Sequence, residues 1–264
     1  MGSDKKPHAL LYLWDQRTVY IGELFEMSSM HTAASVLLVA SEKPFVIQDV
    51  RSGKSASAQS ALVPANVRVK VDSGDQILTI CFLDPYGRDL KALLPEWQEC
   101  LGEVRVHSIR ESRQQALFRK IYAEIMPADA AYQLLEQNIL PEVDLGEGTV
   151  DARLLKAVAL IKQDPLSNQS NQWLASQVGM SESQLQRLFK QIVGLPVRRY
   201  RLWHRLFVTA SYMAVGQTLT EAALMAGFAD SPHFSRTFRS MLGMTPSFVF
   251  QRHSRLLING SGEL

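Results

Sequence analysis

Ala175-Ser-Gln-Val-Gly179, followed by Leu185-Gln-Arg-Leu-Phe-Lys190 and Gly194, and Ala223-Leu-Met-Ala-Gly227, followed by Phe234-Ser-Arg-Thr-Phe-Arg239 and Gly243, are two versions of one pattern. The opening Ala recurs 48 positions on (175 to 223) and the central Arg 49 positions on (187 to 236), so the second version carries one more residue in its turn. Each reads as a helix-turn-helix unit. A small residue in the first helix lets the second cross it closely, and a Gly in the turn supplies the left-handed backbone that joins two helices in three or four residues.

Outward from the first repeat, Trp173–Val178 is the expected supporting helix, and Ser181-Glu-Ser-Gln184 is a capping-box sequence that fixes where the next helix starts. Leu185, Leu188, Phe189 and Ile192 fall on one face of that helix, leaving Ser183, Gln186, Arg187 and Lys190 on the other. An apolar back with a front of Gln, Arg and Ser suits a helix that enters the major groove, because Gln can pair with adenine and Arg with guanine. The plain alternative is an amphipathic surface helix with a solvated polar side, and the second copy argues against it.

In the second repeat, Thr220 is expected to cap Glu221–Ala226, and Asp230 or Ser231 to cap a helix with Pro232 at its first position. Phe234, Phe238, Met241 and Leu242 face inward, which leaves Ser231, His233, Ser235, Arg236 and Arg239 outside. The base-reading candidates are therefore Ser183, Gln186, Arg187, Ser231, His233, Ser235 and Arg236. Between the units, Val197–Val215 has no Gly or Pro in its interior and spans about 28 Å as one helix at about 1.5 Å per residue. Its two flanking helices could then enter successive major grooves, about 34 Å apart. Arg198, Arg199, Arg201 and Arg205 form a cationic cluster on its first turns, either clamping phosphates or forming a solvated face with an Arg205 ion pair. With Lys190 and Arg239, the residues Arg198, Arg199 and Arg201 are the phosphate candidates.

Charge divides the chain the same way. Residues 151–264 hold 13 Lys+Arg against 6 Asp+Glu, and the remainder holds 15 against 20, so the +2 of the whole conceals +7 and −5. The C-terminal part suits a polyanion. At 264 residues two cores are expected, as residues 1–143 and 151–264, with Asp144-Leu-Gly-Glu-Gly-Thr149 in a linker over 144–150. Cys81 and Cys100 have no C-x-x-C spacing, and no apolar run reaches the length of a membrane span, so a cytoplasmic protein is expected.

Up to Phe82 the pattern is strand-like: Leu10–Trp14, Val19–Leu24, Ser35–Ala40, Phe45–Gln48, Leu62–Val63, Val67–Val71 and Ile77–Phe82, with Asp72-Ser-Gly-Asp75 as a turn. This outline looks like a cupin-type jelly roll without its metal ligands, since His31 stands alone, and no cofactor or metal is expected. Tyr12, Trp14, Tyr20 and Phe25 are candidate walls, and Arg17 and His31 candidate anchors, for an uncharged or amphipathic effector inside the barrel. Leu90, Leu93, Leu94 and Trp97 suggest a short helix that Pro95 kinks. Helices over about Glu111–Ile125 and Ala130–Leu140 follow. The stripe Leu117, Ile121 and Ile125 either packs on the barrel or forms a dimer seam.

The two repeats, with Pro196, Tyr200, Arg205-Leu206, Ala210, Asp230-Ser231 and Gly243-x-x-Pro246, resemble the DNA-binding domain of the AraC/XylS family of transcription regulators over about residues 151–255. The resemblance implies an α+β chain: a cupin-like jelly roll with a helical pair, then an all-α domain with two helix-turn-helix units joined by a long helix. It implies no enzymatic activity, and a homodimer on promoter double-stranded DNA that contacts RNA polymerase, often with a small effector in the barrel. It also favours the stripe as the dimer seam. The competing reading is a small-molecule-binding or scaffold protein whose basic C-terminal helices contact a protein partner.

Overall fold

Ala9–Leu13 (β1) and Thr18–His31 (β2) are rich in β-branched, aromatic and long apolar residues, and they pair antiparallel from Ala9 opposite Gly22 to Leu13 opposite Thr18. In the computed structural model, residues 7–14, 17–32, 34–83, 88–139, 151–167, 169–250 and 254–258 are described. β1 is buried along its whole length because both faces are covered. Leu11 and Leu13 join the cluster inside the sheet, and Leu10 and Tyr12 join the one outside it.

The remaining strands of the N-terminal half are Val36–Ala40 (β3), Phe45–Asp49 (β4), Ser55–Ala58 (β5), Ser60–Val63 (β6), Arg68–Phe82 (β7), Trp97–Leu101 (β8) and Val104–Ser108 (β9). A final strand, Ser254–Ile258 (β10), lies at the sheet edge, giving the order β10-β1-β2-β7-β3-β6-β9-β8, with the β4–β5 hairpin attached through β4 to β7. The chain is thus mixed α+β, a sheet followed by helices.

Two local expectations change. The stretch Asp72–Asp75 does not end a strand, because β7 runs through it and pairs with β2 on both sides, with a register shift between Leu24 and Glu26. Gly74 and Asp75 take positive φ there, so the turn-forming residues make a bulge that bends one long strand. The helix expected up to Trp97 stops earlier: Arg88–Leu93 (α1) gives way to a 3₁₀ turn containing Pro95, and Trp97 opens β8.

Glu111–Glu124 (α2) and Ala128–Asn138 (α3) cover the outer face of the sheet. The stripe offered as a dimer seam is spent there. Leu117 and Ile121 are buried with Tyr12, Trp14 and Ile21, and Ile125, half-buried, packs on the same cluster. The stripe therefore takes the first of the two roles the sequence left open, packing on the chain's own sheet.

The C-terminal helices are Ala152–Gln163 (α4), Asn171–Gln177 (α5), Glu182–Ile192 (α6), Val197–Ala214 (α7), Leu219–Met225 (α8), Ser231–Leu242 (α9) and Pro246–Val249 (α10). α4, α5, α6 and the start of α7 enclose a core of their own, around Leu154, Val158, Leu174, Leu185, Phe189 and Tyr200. The second unit does not. Ala223, Phe228, Phe234, Phe238 and Met241 belong to one continuous cluster with the interior of the sheet.

Candidate nucleic-acid interface

The first reading helix is built as its sequence dictates. The Ser181 hydroxyl accepts the Gln184 amide, and the Gln184 side chain accepts the Ser181 amide, closing a reciprocal cap at the start of α6. Leu185 and Phe189 are buried, and Ser183, Gln186, Arg187 and Lys190 are all exposed on one side. Gln186 donates to Glu182 one turn back at 2.8 Å, a surface bond that a base edge can replace.

The second unit starts two residues earlier than expected. Thr218, not Thr220, caps α8, accepting the Glu221 amide while Glu221 returns to the Thr218 amide. A threonine followed three residues later by Glu is the stronger signal, and Thr220 lacks that partner. At α9 the choice between caps falls to Asp230, whose carboxylate accepts the His233 amide at 2.5 Å, and Pro232 is the second helical residue rather than the first. Arg236 and Arg239 are exposed, but Ser231, His233 and Ser235 are half-buried. The ring of His233 stands edge-on to Phe228, and α9 packs against β2.

The phosphate candidates on α7 divide. Arg198 is exposed. Arg199 is turned to the sheet, donating to the His31 carbonyl, with Asn66 Oδ1 at 3.4 Å. Arg201 donates to the Gln169 carbonyl, and Arg205 to the Pro165 carbonyl at 2.8 Å. Burial lowers the pKa of Arg199, Arg201 and Arg205 alike. Their guanidiniums tie helices and loops together, so of the phosphate candidates Lys190, Arg198 and Arg239 are the exposed ones. Arg205 combines these carbonyl contacts with the charge of Asp164, which opposes the lowering by burial.

The effector candidates also move. Tyr12 and Trp14 point away from the sheet interior, where the Tyr12 hydroxyl donates to the Met126 carbonyl at 2.8 Å and the Trp14 indole to the Ala128 carbonyl at 3.2 Å. Arg17 is buried and bonds both carboxylate oxygens of Asp89 at 2.7 Å, with Glu136 at 3.1 Å. Burial alone would lower its pKa, but Asp89 overrides that and holds it above the ordinary value. His31 Nε2 lies 3.0 Å from the Asn66 carbonyl, beside Arg199, at the junction with α7. The side chain of Phe25 lies outside the described residues. Tyr20 alone faces inward. Leu24, Met27, Met30, Phe45, Ile47 and their neighbours pack together as one apolar cluster inside the sheet.

Space appears instead where the sheet meets the C-terminal helices. A cavity of about 50 Å³ is lined by Leu11, Leu13, Tyr20 and Phe82 on the sheet side and by α7, α9 and α10 on the other. α7 carried the signal for this seam: Tyr200 faces the first unit's core while Trp203, Leu206, Phe207 and Ala210 face the sheet, and a helix apolar on several sides must be covered on several sides. Among the described residues, no three His, Cys, Asp or Glu side chains gather to hold a metal ion, and no helix is long and apolar enough to cross a membrane.

Two short helical pairs on one connecting helix, the first with its polar front free, define the helix-turn-helix class of DNA-binding domain. Comparison agrees, since residues 174–252 match the family model described as a helix-turn-helix domain. The chain is 29% identical over 180 residues to the HTH-type transcriptional activator RhaS of Escherichia fergusonii, covering 61% of this chain and 63% of that one. It is 31% identical over 103 residues to the HTH-type transcriptional regulator ArgR of Pseudomonas aeruginosa, covering 38% and 30%. The chain thus spans less than two thirds of these relatives' lengths. Apo ToxT from Vibrio cholerae superposes with a TM-score of 0.59 at 14% identity, over 90% of this chain and 97% of that one, a likeness of fold. Residues 174–252 thus carry a helix-turn-helix domain similar to those of DNA-binding transcription regulators, which supports the resemblance to the AraC/XylS family.

Proposed function

We propose that this chain binds promoter double-stranded DNA through α6 and α9 in successive major grooves, with Ser183, Gln186 and Arg187 reading one half-site and Arg236, with Ser231, His233 and Ser235, the other. The observation that carries this reading is the fully exposed polar front of α6 on a twice-repeated scaffold. α7, with 18 residues, is about 27 Å long, close to the repeat between grooves. Lys190, Arg198 and Arg239 supply phosphate contacts. The sheet, read as a cupin-like jelly roll, serves as the sensor, residues 144–150 as the link to the DNA-binding domain, and two copies act together on paired sites.

The effector of this reading is an amphipathic molecule that enters at the seam. The lining is apolar, and ToxT has been solved with an unsaturated fatty acid bound. A cavity of about 50 Å³ is far below the roughly 300 Å³ of a typical small-molecule site, so binding must widen the seam and move the second unit.

The test is DNA binding as a function of salt. Affinity should fall with a log–log slope of about −0.9 per phosphate neutralised. Arg187→Ala and Arg236→Ala should each cost about 1–3 kcal/mol of specific binding, on opposite halves of the footprint. A flat salt response, or equal loss on random and specific DNA, removes the base-reading roles.

A further inference from the structure

The C-terminal strand does not stay with the domain that precedes it. β10 runs parallel to β1 from Ser254 opposite Ala9 to Ile258 opposite Leu13, on the one edge of β1 that β2 leaves open. Its side chains alternate as a docked strand's must: Leu256 packs on the inner cluster with the second unit, and Leu257 on the outer cluster with α2 and α3. An unpaired edge next to an apolar face is a ready template for a strand. Here the occupant is β10 itself.

We propose that the outer edge of β1 is a docking site for this chain's own C-terminal strand, and that the docked strand is a latch holding the second reading helix against the sheet. Three observations converge on it. α9 packs on β2, and the reading residues near its start are half-buried, whereas those of α6 are exposed. Phe238, Leu242, Met244, Val249 and Phe250, all from the second unit, close the seam over Leu11, Leu13 and Tyr20. Phe250 and Ser254 are four steps apart in the chain, at most about 14 Å when extended, so the second unit cannot swing away from the sheet while β10 is docked. Undocking frees head and edge together. The proposal rests on the DNA-binding reading and adds a closed state to it.

The experiment is a reversible lock. Leu11 and Leu256 are opposite one another in register, on strands whose spacing of about 4.8 Å lies within disulfide range. The full chain carrying Leu11→Cys and Leu256→Cys, with Cys100→Ser, is compared oxidised and reduced on 30-base-pair duplexes selected from a random pool by the unmodified protein. Cys81 stays out of the exchange, because burial pushes its thiol up to about 12. The oxidised form should bind about tenfold or more weakly, within the usual range of coupling between two sites, and reduction should restore binding. Removal of residues 254–264 should tighten binding by a similar factor, and this variant decides the matter if the cysteine pair does not fold. Equal affinity of locked and unlocked protein, or unchanged binding by the shortened chain, overturns the latch. If the unmodified protein selects no duplex, the DNA-binding reading falls, and the latch with it.

Discussion

The two reading units share a sequence plan and differ in what they stand on. The first closes its own core with α4 and the start of α7 and leaves every polar residue of α6 exposed. The second merges its core with the interior of the sheet and leaves α9 half covered. Repetition of a motif therefore fixes the local shape of a unit and not its partners. Those are set by the apolar residues around the motif, most of which in the second unit join the cluster inside the sheet.

Four outcomes would sharpen or break that contrast. The largest is at the cores: Phe189→Ala and Phe238→Ala should each cost about 3–5 kcal/mol, but the first should destabilise only the first unit, while the second should also loosen the seam with the sheet. Hydrogen exchange resolved by segment checks this, and loss of protection in β1 and β2 in both variants would contradict it. Next are the turn glycines. Both take positive φ, but a Cβ at Gly179 meets open space, whereas at Gly227 it would lie 2.9 Å from the Pro165 carbonyl. Gly179→Ala should cost about 1–2 kcal/mol and Gly227→Ala distinctly more, as read by urea unfolding. Equal costs would mean that the crowding at Gly227 relaxes freely.

The caps should be nearly alike. Ser181→Ala and Thr218→Ala each remove one reciprocal pair and should each cost about 0.5–2 kcal/mol in the same unfolding measurement. The smallest effect is pH dependence at the junction. Burial, then Arg199, lowers the pKa of His31, so the folded chain prefers the neutral ring. That contribution is present above about pH 6.5, the ordinary histidine value, and is lost as pH falls through the depressed value. Thermal midpoints between pH 5 and 7.5 should fall more steeply on acidification in the parent than in His31→Gln, and the reverse slope would contradict this account.

Much of the reading unit was legible because its signals are local. The Ser181–Gln184 cap and the inward pairs of α6 and α9 follow from residues within one or two turns. What the sequence concealed depends on distant parts of the chain. Tyr12 and Trp14 alternate with Leu11 and Leu13 along β1, and nothing in that alternation states which face looks inward when both are apolar. Arg199 and Arg201 sit on an arginine-rich helix start, which reads equally as phosphate clamp or strut until the carbonyls of His31 and Gln169 are placed beside them. β10 carries an ordinary apolar run, and its place beside β1 is set by an edge some 240 residues away in the chain.

Arg205 sets a further condition on the molecule. Its guanidinium holds the Pro165 carbonyl, and the turn of the second unit comes so near at Gly227 that a Cβ there would meet both. The joint between α4 and α5, the long helix and the second turn therefore meet around one side chain. On the proposed reading, as long as that joint holds, an operator whose half-sites are moved by one base pair, about 3.4 Å along the duplex, must bend or twist to be read. The spacing tolerated between half-sites is then a property of position 205 and not of any residue that touches a base.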